Sequence, residues 1–143
     1  MTVVVADSSV VIKWLLPQRG EEQAARAVHL WEGFRNGRLQ LIQPPHWLAE
    51  VAAVVARLSP ATAAEDIRDL HELGIIVTQS SEVYTTACEL SISLNHHLFD
   101  TLYYAVALSL ADATLVTADD RYYRKAHARG QITRLADFDA ATM

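Results

Sequence analysis

The sequence predicts an α/β fold in which helices flank a mostly parallel β-sheet. Short apolar runs rich in β-branched residues alternate with longer segments of helical pattern, and this alternation implies crossover connections between parallel strands. The 143 residues, 51% of them hydrophobic and 20% charged, suit a compact globular protein with a sizeable core. No internal repeat, low-complexity tract or linker interrupts the pattern, so residues 1–143 are predicted to form a single domain.

The first half of the chain is predicted to contain two strands and four helices. Residues 2–6 (TVVVA) form a β-branched run, as expected of a strand that is buried on both faces. The segment Asp7-Ser8-Ser9 supplies N-cap chemistry for the helix that follows. Ser59 followed by Pro60 predicts the capped start of a later helix. The predicted strands cover residues 2–6 and 39–42, and the predicted helices cover residues 10–16, 21–35, 46–58 and 60–73.

The second half is predicted to contain three strands and three helices. Gly74 and Gly130 stand where helices should end, because glycine readily adopts the left-handed conformation of a helix C-terminus. The segment LFDTLYYAVALSLA, residues 98–111, has a single charged residue, which predicts a helix buried on nearly every side. The predicted strands cover residues 75–77, 113–117 and 131–135, and the predicted helices cover residues 81–94, 99–110 and 119 or 120 to about 128.

The composition excludes several classes of protein. No apolar run approaches the length of a bilayer and the N-terminus lacks the pattern of a signal peptide, so a cytoplasmic protein without membrane association is predicted. The single cysteine excludes an internal disulfide and a cysteine-based metal cluster. Nucleoside-triphosphate chemistry has no support, because the chain has no glycine-rich phosphate loop.

Two carboxylates directly follow predicted strands. Asp7 follows the first strand, and Asp119 follows the strand at residues 113–117. The carboxyl ends of parallel strands meet at one edge of a sheet, where ligands bind in open α/β folds. Each residue could instead serve only as a helix N-cap, a position that aspartate favours. Asp120 stands beside Asp119 and is the alternative candidate, because adjacent side chains point in different directions.

Two further carboxylates lie within apolar helices. Asp100 is the only charged residue between residues 98 and 111. A carboxylate buried there would need a cation or dense hydrogen bonding, although an N-cap is the alternative interpretation. Glu50 shares a helix face with Trp47 and Val54, while a solvated edge of an alanine-rich helix would also suit it.

The four acids Asp7, Glu50, Asp100 and Asp119 together predict a shared metal site. Acids brought together repel unless a cation lies between them, and ligation by oxygen alone favours Mg²⁺ or Mn²⁺. Asp7, Asp100 and Asp119 are the predicted direct ligands of one or two ions. Glu50 is a ligand, a water-mediated ligand or the base that orients the nucleophile. Such a site points to hydrolysis of phosphodiesters.

The charge balance neither selects nor excludes RNA as a partner. Setting the four acids aside changes the formal net charge from −5 to −1. Five of the twelve lysines and arginines fall between Arg121 and Arg134. Lys13, Arg121 and Arg124 are candidates for contacts with phosphate. The pair His96-His97 is interpreted as a polar turn, since neighbouring residues at a helix end face different directions.

Four segments of the chain occur together in a combination typical of one family. They are VVADSSVVIKWLLP, PPHWLAEVAAVV, HHLFDTLYYAVAL and TLVTADDRYYRKA. With these segments the chain resembles the PIN-domain ribonucleases, specifically the VapC toxins of bacterial toxin–antitoxin pairs, over roughly residues 3–138. By this resemblance Ser9 and Thr117 match the family's D-x-S and T-x-D elements, and the family's acidic cluster falls on Asp7, Glu50, Asp100 and Asp119.

The resemblance implies more than the residues alone predict. It implies a PIN-like three-layer sandwich with a parallel sheet of about five strands, and a Mg²⁺-dependent endoribonuclease that acts on single-stranded or loop RNA. It further implies a homodimer and a cognate VapB-type antitoxin that inserts a C-terminal segment into a groove of the toxin. The doubled Asp119-Asp120 departs from the family pattern and leaves the fourth ligand open, and the modest basic content leaves the RNA-binding surface poorly defined.

Other functions are weighed against this one. A non-catalytic RNA-binding or protein-binding module with the same fold is the second hypothesis, and the retention of all four acids argues against it. A phosphatase with an aspartyl nucleophile usually has a second acid two residues after the first, where this chain has Ser9. A phosphate-receiving regulatory domain would need an aspartate after its central strand, and IIVTQ offers none.

Overall fold

The computed structural model of the protein describes residues 2–139. Its five strands form one sheet in the order β3–β2–β1–β4–β5, and every neighbouring pair is parallel. The predicted α/β fold with a parallel sheet is therefore confirmed. The strands are β1 (Thr2–Ala6), β2 (Leu39–Gln43), β3 (Ile76–Val77), β4 (Ala113–Thr117) and β5 (Ile132–Arg134).

Seven α-helices within the described residues connect and flank the strands. None of the helices in residues 2–139 has the length and apolar character needed to cross a membrane. The helices are α1 (Ser8–Leu15), α2 (Ala24–Arg35), α3 (Trp47–Leu58), α4 (Ala63–Glu72), α5 (Ser81–Leu94), α6 (Leu98–Leu108) and α7 (Asp120–Ala126).

The most deeply buried strand is β1, at the centre of the sheet. Residues 3–6 are all buried, as are Leu115 and Val116 on the neighbouring β4. An almost wholly apolar strand is typical of the centre of a parallel sheet, where both faces are covered. Helix α6 packs against β1, β2 and β4 and buries residues 101–107. The core therefore holds the ends of β1 and β4 rigidly.

A buried glutamine extends the pairing between β1 and β2. Gln43 Nε2 donates to Ala6 O (2.8 Å), and Gln43 Oε1 accepts from Ala6 N–H (2.9 Å). Both groups belong to the last residue of β1, and the Gln43 side chain is almost wholly buried. The amide takes the place of a backbone partner and satisfies polar groups that burial would otherwise leave unpaired. It thereby fixes the backbone immediately before Asp7.

Two predicted helix starts are wrong. The N–H of Ser59 donates to Val55 O (2.8 Å), so Ser59 ends α3 instead of capping the next helix. Pro60 lies in the turn that follows, and α4 begins three residues later. The helix predicted from residue 21 begins only after Gln23, whose φ of 67° lies in the left-handed region and cannot continue a right-handed helix.

Candidate metal centre

The carboxyl ends of β1 and β4 bring Asp7 and Asp119 to the same edge of the sheet. The two strands are parallel neighbours, and the N–H of Asp7 donates to Val116 O on β4 (3.4 Å). The N–H of Ala118 donates to Ser9 Oγ (3.2 Å), which joins α1 to the residue before Asp119. The edge where the topology predicts ligand binding is thus the edge that carries these acids.

Asp7 both caps α1 and faces the other acids. Its Oδ1 accepts hydrogen bonds from Ser9 Oγ and from the N–H of Val10 (3.3 Å). Burial raises the pKa of Asp7 from 3.8 to about 6; hydrogen bonds from Ser9, Thr117 and Val10 oppose this rise, and the charge of Asp100 adds to it. Being a helix cap does not exclude a role in the site, because Asp7 also interacts with Asp100.

Asp119 follows β4 and caps α7. Its N–H donates to Thr117 Oγ1 (3.0 Å), and its Oδ1 accepts from the N–H of Tyr122 (3.0 Å). Thr117 is wholly buried and also lowers the pKa of Asp7, so one hydroxyl interacts with both acids. Asp120, the alternative ligand, lines a neighbouring cavity of about 250 Å³. Among the residues that the structure describes, the group of candidate ligands around Asp100 includes Asp119 and not Asp120.

Asp100 is partly exposed, so the prediction of a buried carboxylate is wrong. It lies in the first turn of α6, and its side chain is 44% exposed. Phe99 beside it is 52% exposed, whereas residues 101–107 are buried. The apolar pattern of α6 continues to its N-terminus. The neighbouring elements, however, leave its first turn uncovered. Asp100 therefore stands at the rim of the core, where a solvent-borne ion or substrate can reach it.

Within residues 2–139, Asp100 and Asp119 form a group of candidate ligands with a histidine that sequence reasoning set aside, and neither Asp7 nor Glu50 belongs to that group. His96 Nε2 lies 2.9 Å from Asp100 Oδ2. One ligand atom from each of His96, Asp100 and Asp119 lies within 4.8 Å of the others. The interpretation of His96-His97 as a polar turn overlooked the spacing of four residues between His96 and Asp100. That spacing was the available signal, since the turn between α5 and α6 brings the imidazole to the acid in the first turn of α6.

Glu50 is connected to the other predicted acids through the hydroxyl group of Tyr103. Tyr103 Oη donates to Glu50 Oε1 (2.8 Å), and His46 Nε2 lies 4.0 Å from Glu50 Oε2. The pKa of Tyr103 is raised by burial first, then by Glu50, and further by Asp7 and Asp100. The Tyr103 hydroxyl is therefore within electrostatic reach of three of the four predicted acids. Sequence analysis did not single out Tyr103, because an apolar helix gives no sign of which tyrosine faces an acid.

Lys13 lies beside the site with two arginines that the sequence did not single out. It lines a cavity of about 400 Å³ together with Ser9, Arg19 and Arg57. Lys13 Nζ is 3.7 Å from Glu21 Oε2, and Arg19 Nε is 3.9 Å from Glu21 Oε1. Both separations are at the long end for an ion pair, and Glu21 lines the same cavity, so an anionic ligand has to compete with Glu21 for these cations.

The two other predicted phosphate contacts, Arg121 and Arg124, lie exposed on α7. Asp119 caps that helix, so the two arginines follow it by two and five residues. They stay candidates for contacts with a substrate backbone.

Comparisons with known proteins agree with this architecture. A family model described as "PIN domain" matches residues 4–128, a segment that includes all four acids. The Mycobacterium tuberculosis toxin VapC20, described as cleaving the sarcin–ricin loop, is 16% identical with a TM-score of 0.59 over 74% of this chain and 82% of that one. VapBC-1 from nontypeable Haemophilus influenzae is 15% identical with a TM-score of 0.64 over 94% of this chain and 99% of that one. No curated protein matches the sequence.

Proposed function

The chain belongs to the PIN-domain family, and on this premise we propose that it is a Mg²⁺- or Mn²⁺-dependent endoribonuclease, the toxin of a toxin–antitoxin pair. The observation that carries the proposal is that Asp100 and Asp119 offer ligand atoms within 4.8 Å of each other, while Asp7 interacts electrostatically with Asp100. Asp7, Asp100 and Asp119 come from the end of β1, the start of α6 and the end of β4. The proposal treats residues 1–143 as one PIN domain.

The donor set fits a hard divalent cation. Three carboxylates offer the oxygen ligands that Mg²⁺ and Mn²⁺ prefer. Burial keeps the pKa of Asp7 high, and a bound cation would favour its ionised form. Tyr122 Oη is buried without a hydrogen-bond partner in residues 2–139. The pKa of Tyr122 is raised by burial, by Tyr104 and then by Asp100 and Asp7, so the hydroxyl is another polar atom close to the acids.

The residues suggest how the work of hydrolysis is divided. A divalent cation, when bound, activates a water molecule and stabilises the charge that develops on the phosphate. Asp7, Asp100 and Asp119 would hold it. Glu50 Oε1 accepts from Tyr103, which leaves Oε2 to take a proton from the attacking water as its oxygen bonds to phosphorus. Glu50 thus acts as base or as a water-mediated ligand.

The proposed substrate is single-stranded or loop RNA, in which the backbone is accessible to protein side chains. Lys13, Arg19 and Arg57 line a cavity that Ser9 shares, so a phosphate neighbouring the scissile one could bind there. Arg121 and Arg124 would contact the backbone on the other side of Asp119. Contacts of this kind depend on charge, and binding should weaken as salt rises.

An antitoxin and a second copy of the chain are the proposed protein partners. A cavity of about 420 Å³ lies between α1, α2 and α4, and Trp14, Leu15, Trp31 and Leu70 contribute its apolar lining. Such a groove suits the apolar side chains of an inserted antitoxin segment. Co-purification of the chain with the product of an adjacent gene would support this partner, and size-exclusion chromatography with light scattering would measure the oligomer.

The proposed activity is tested with the purified chain and its Asp7→Asn and Asp100→Asn variants. An RNA with single-stranded loops should be cleaved with Mg²⁺ or Mn²⁺, and EDTA or either substitution should abolish cleavage. Asp112→Asn is the matched control, because Asp112 is exposed and precedes β4 at the opposite edge of the sheet. Undiminished metal-dependent cleavage by both site variants would overturn the proposal. A wild-type chain that binds neither ion at millimolar concentration in calorimetry would favour a non-catalytic module.

A further inference from the structure

Lys125, His96 and Asp100 form a continuous series of hydrogen bonds that leads from α7 to the candidate metal centre. Lys125 Nζ lies 3.2 Å from His96 Nδ1 and 3.0 Å from Asn95 O. The other ring nitrogen, His96 Nε2, lies 2.9 Å from Asp100 Oδ2. The ring of Tyr122 packs against the imidazole with centroids 4.4 Å apart. The imidazole is therefore held at both nitrogens and on one face.

The partners of the imidazole determine where its proton lies. An ammonium group has three donors and no acceptor, so the contact with Lys125 requires His96 Nδ1 to accept. The single ring proton then lies on Nε2 and is donated to Asp100 Oδ2. The side chain of His96 is only 12% exposed, so water cannot easily replace either partner. This arrangement is the neutral Nε2–H tautomer.

We propose that His96 is a positioning residue for the metal centre and not one of its ligands. The proposal rests on the proposed function. By distance alone, His96 could coordinate an ion together with Asp100 and Asp119. Coordination through Nε2 would need the proton on Nδ1, where it would point at the Lys125 ammonium. The hydrogen bond to Oδ2 instead holds the half-exposed Asp100 carboxylate and leaves Oδ1 for the cation.

Lys125 also links the segment that carries Asp100 to the helix that Asp119 caps. It lies on α7, the helix that Asp119 caps, and its ammonium donates to Asn95 O at the end of α5. The segment that carries His96 and Asp100 is thereby tied to the element that carries Asp119. Outer hydrogen bonds of this kind orient metal ligands, and their loss commonly weakens metal binding.

The hydrogen-bond series can be tested in the metal-free protein by ¹⁵N NMR of the imidazoles. Wild-type His96, assigned by comparison with His96→Gln, should show the Nε2–H tautomer. Lys125→Met removes the donor at Nδ1, so the ¹⁵N shift of Nδ1 should change while Nε2 keeps its proton for Asp100. The fold, checked by circular dichroism, should be retained. A predominant Nδ1–H tautomer in the wild-type chain would overturn the proposal without bearing on the proposed nuclease.

Binding of Mn²⁺, followed by electron paramagnetic resonance, tests the effect on the site. Glutamine can place an amide donor near the position of Nε2, so His96→Gln should retain affinity within about twofold, whereas His96→Leu should lose about tenfold. Bound Mn²⁺ should show no coupling to an imidazole ¹⁴N in the wild type. Such a coupling, or equal affinity of wild type and His96→Leu, would overturn the positioning role. A wild-type chain that neither binds Mn²⁺ nor cleaves RNA would overturn the proposed function, and this inference with it.

Discussion

Tyr103 and Glu50 are joined by a 2.8 Å hydrogen bond across 53 residues of sequence. Tyr103 is fully buried in α6, whereas the Glu50 side chain on α3 is 24% exposed. The buried phenol fixes one oxygen of a carboxylate that is otherwise accessible to solvent. The same hydroxyl interacts with the charges of Asp7 and Asp100. Tyr103 thus connects the predicted base to the predicted metal ligands.

Removing this hydroxyl should slow cleavage more than it weakens substrate binding. Glu50→Gln removes the proposed base and should lower kcat about 100-fold. Tyr103→Phe retains the base but no longer orients it, so a loss of about tenfold in kcat with little change in KM is expected. The matched control is Tyr104→Phe, since Tyr104 is also buried in α6 but donates to Gly130 O (2.6 Å). Equal kcat for Tyr103→Phe and the control would contradict the role given to Tyr103.

The raised pKa of Asp7 predicts that the metal-free protein loses stability as pH rises. The unfolded chain releases this proton near the ordinary pKa of 3.8, whereas the folded chain retains it to about pH 6. Between these values the unfolded state binds fewer protons, so the free energy of unfolding falls with rising pH and levels off above about pH 6. The shift corresponds to about 3 kcal/mol at neutral pH.

Asp7→Asn should therefore be more stable than wild type in EDTA at neutral pH and should lack this part of the pH dependence. Asparagine retains a side-chain oxygen to accept from Ser9 and Val10. Urea unfolding at about pH 4 and at neutral pH measures the difference, with Asp112→Asn as the control for loss of one charge. If the free energy of unfolding depends on pH in the same way in wild type and Asp7→Asn, burial does not raise the pKa of Asp7.

A bound divalent ion should offset the loss of stability that ionisation of the buried Asp7 causes at neutral pH. Mg²⁺ or Mn²⁺ should raise the Tm of the wild-type chain, and an ion at 100 times its Kd adds about 2.7 kcal/mol to the free energy of unfolding. Asp7→Asn and Asp100→Asn should show little of this increase. Thermal melts with the ion, with EDTA and with KCl of equal ionic strength separate binding from screening. A rise in Tm that is the same in wild type and both variants would place the ion elsewhere.

Replacing Gln43 should lower both the stability of the fold and the affinity of the candidate site for a metal ion. Gln43→Leu leaves the N–H and C=O of Ala6 buried without partners, which should lower the free energy of unfolding by about 3 kcal/mol. Because Ala6 directly precedes Asp7, weaker metal binding should accompany this loss. Gln40→Leu is the control on the same strand, since Gln40 is only partly buried. Urea unfolding and Mn²⁺ titration of both variants measure the two effects, and equal results would contradict the role of the Gln43 amide.

Lys13 should contribute to RNA affinity through charge alone. Lys13→Met should weaken binding of a single-stranded RNA and reduce the slope of log affinity against log salt by about 0.7, the value for one phosphate contact. Arg57→Gln is expected to behave similarly, because Arg57 lines the same cavity. Arg68→Gln, an exposed change on α4, is the control. An unchanged salt slope for Lys13→Met would remove Lys13 from the RNA surface.

The sheet and the placement of two acids followed from local patterns. The runs before Asp7 and Asp119 are apolar and β-branched, and such segments are stable only as buried strands. Their polar ends had to emerge at the edge where parallel strands terminate. Local patterns failed at Ser59 and Pro60, which were predicted to begin a helix. The N–H of Ser59 is hydrogen-bonded to the last turn of α3, so Ser59 ends that helix and the next one begins later.

Contacts between distant residues were decided by the tertiary structure. The apolar sequence around Asp100 predicted burial, but exposure depends on which neighbouring elements extend over the first turn of α6. The Lys125–His96 contact joins residues 29 apart, and the Tyr103–Glu50 contact joins residues 53 apart. Periodicity in the sequence reports the face on which a side chain lies. It carries no information about the partner opposite that face, because packing of the whole chain determines which elements meet.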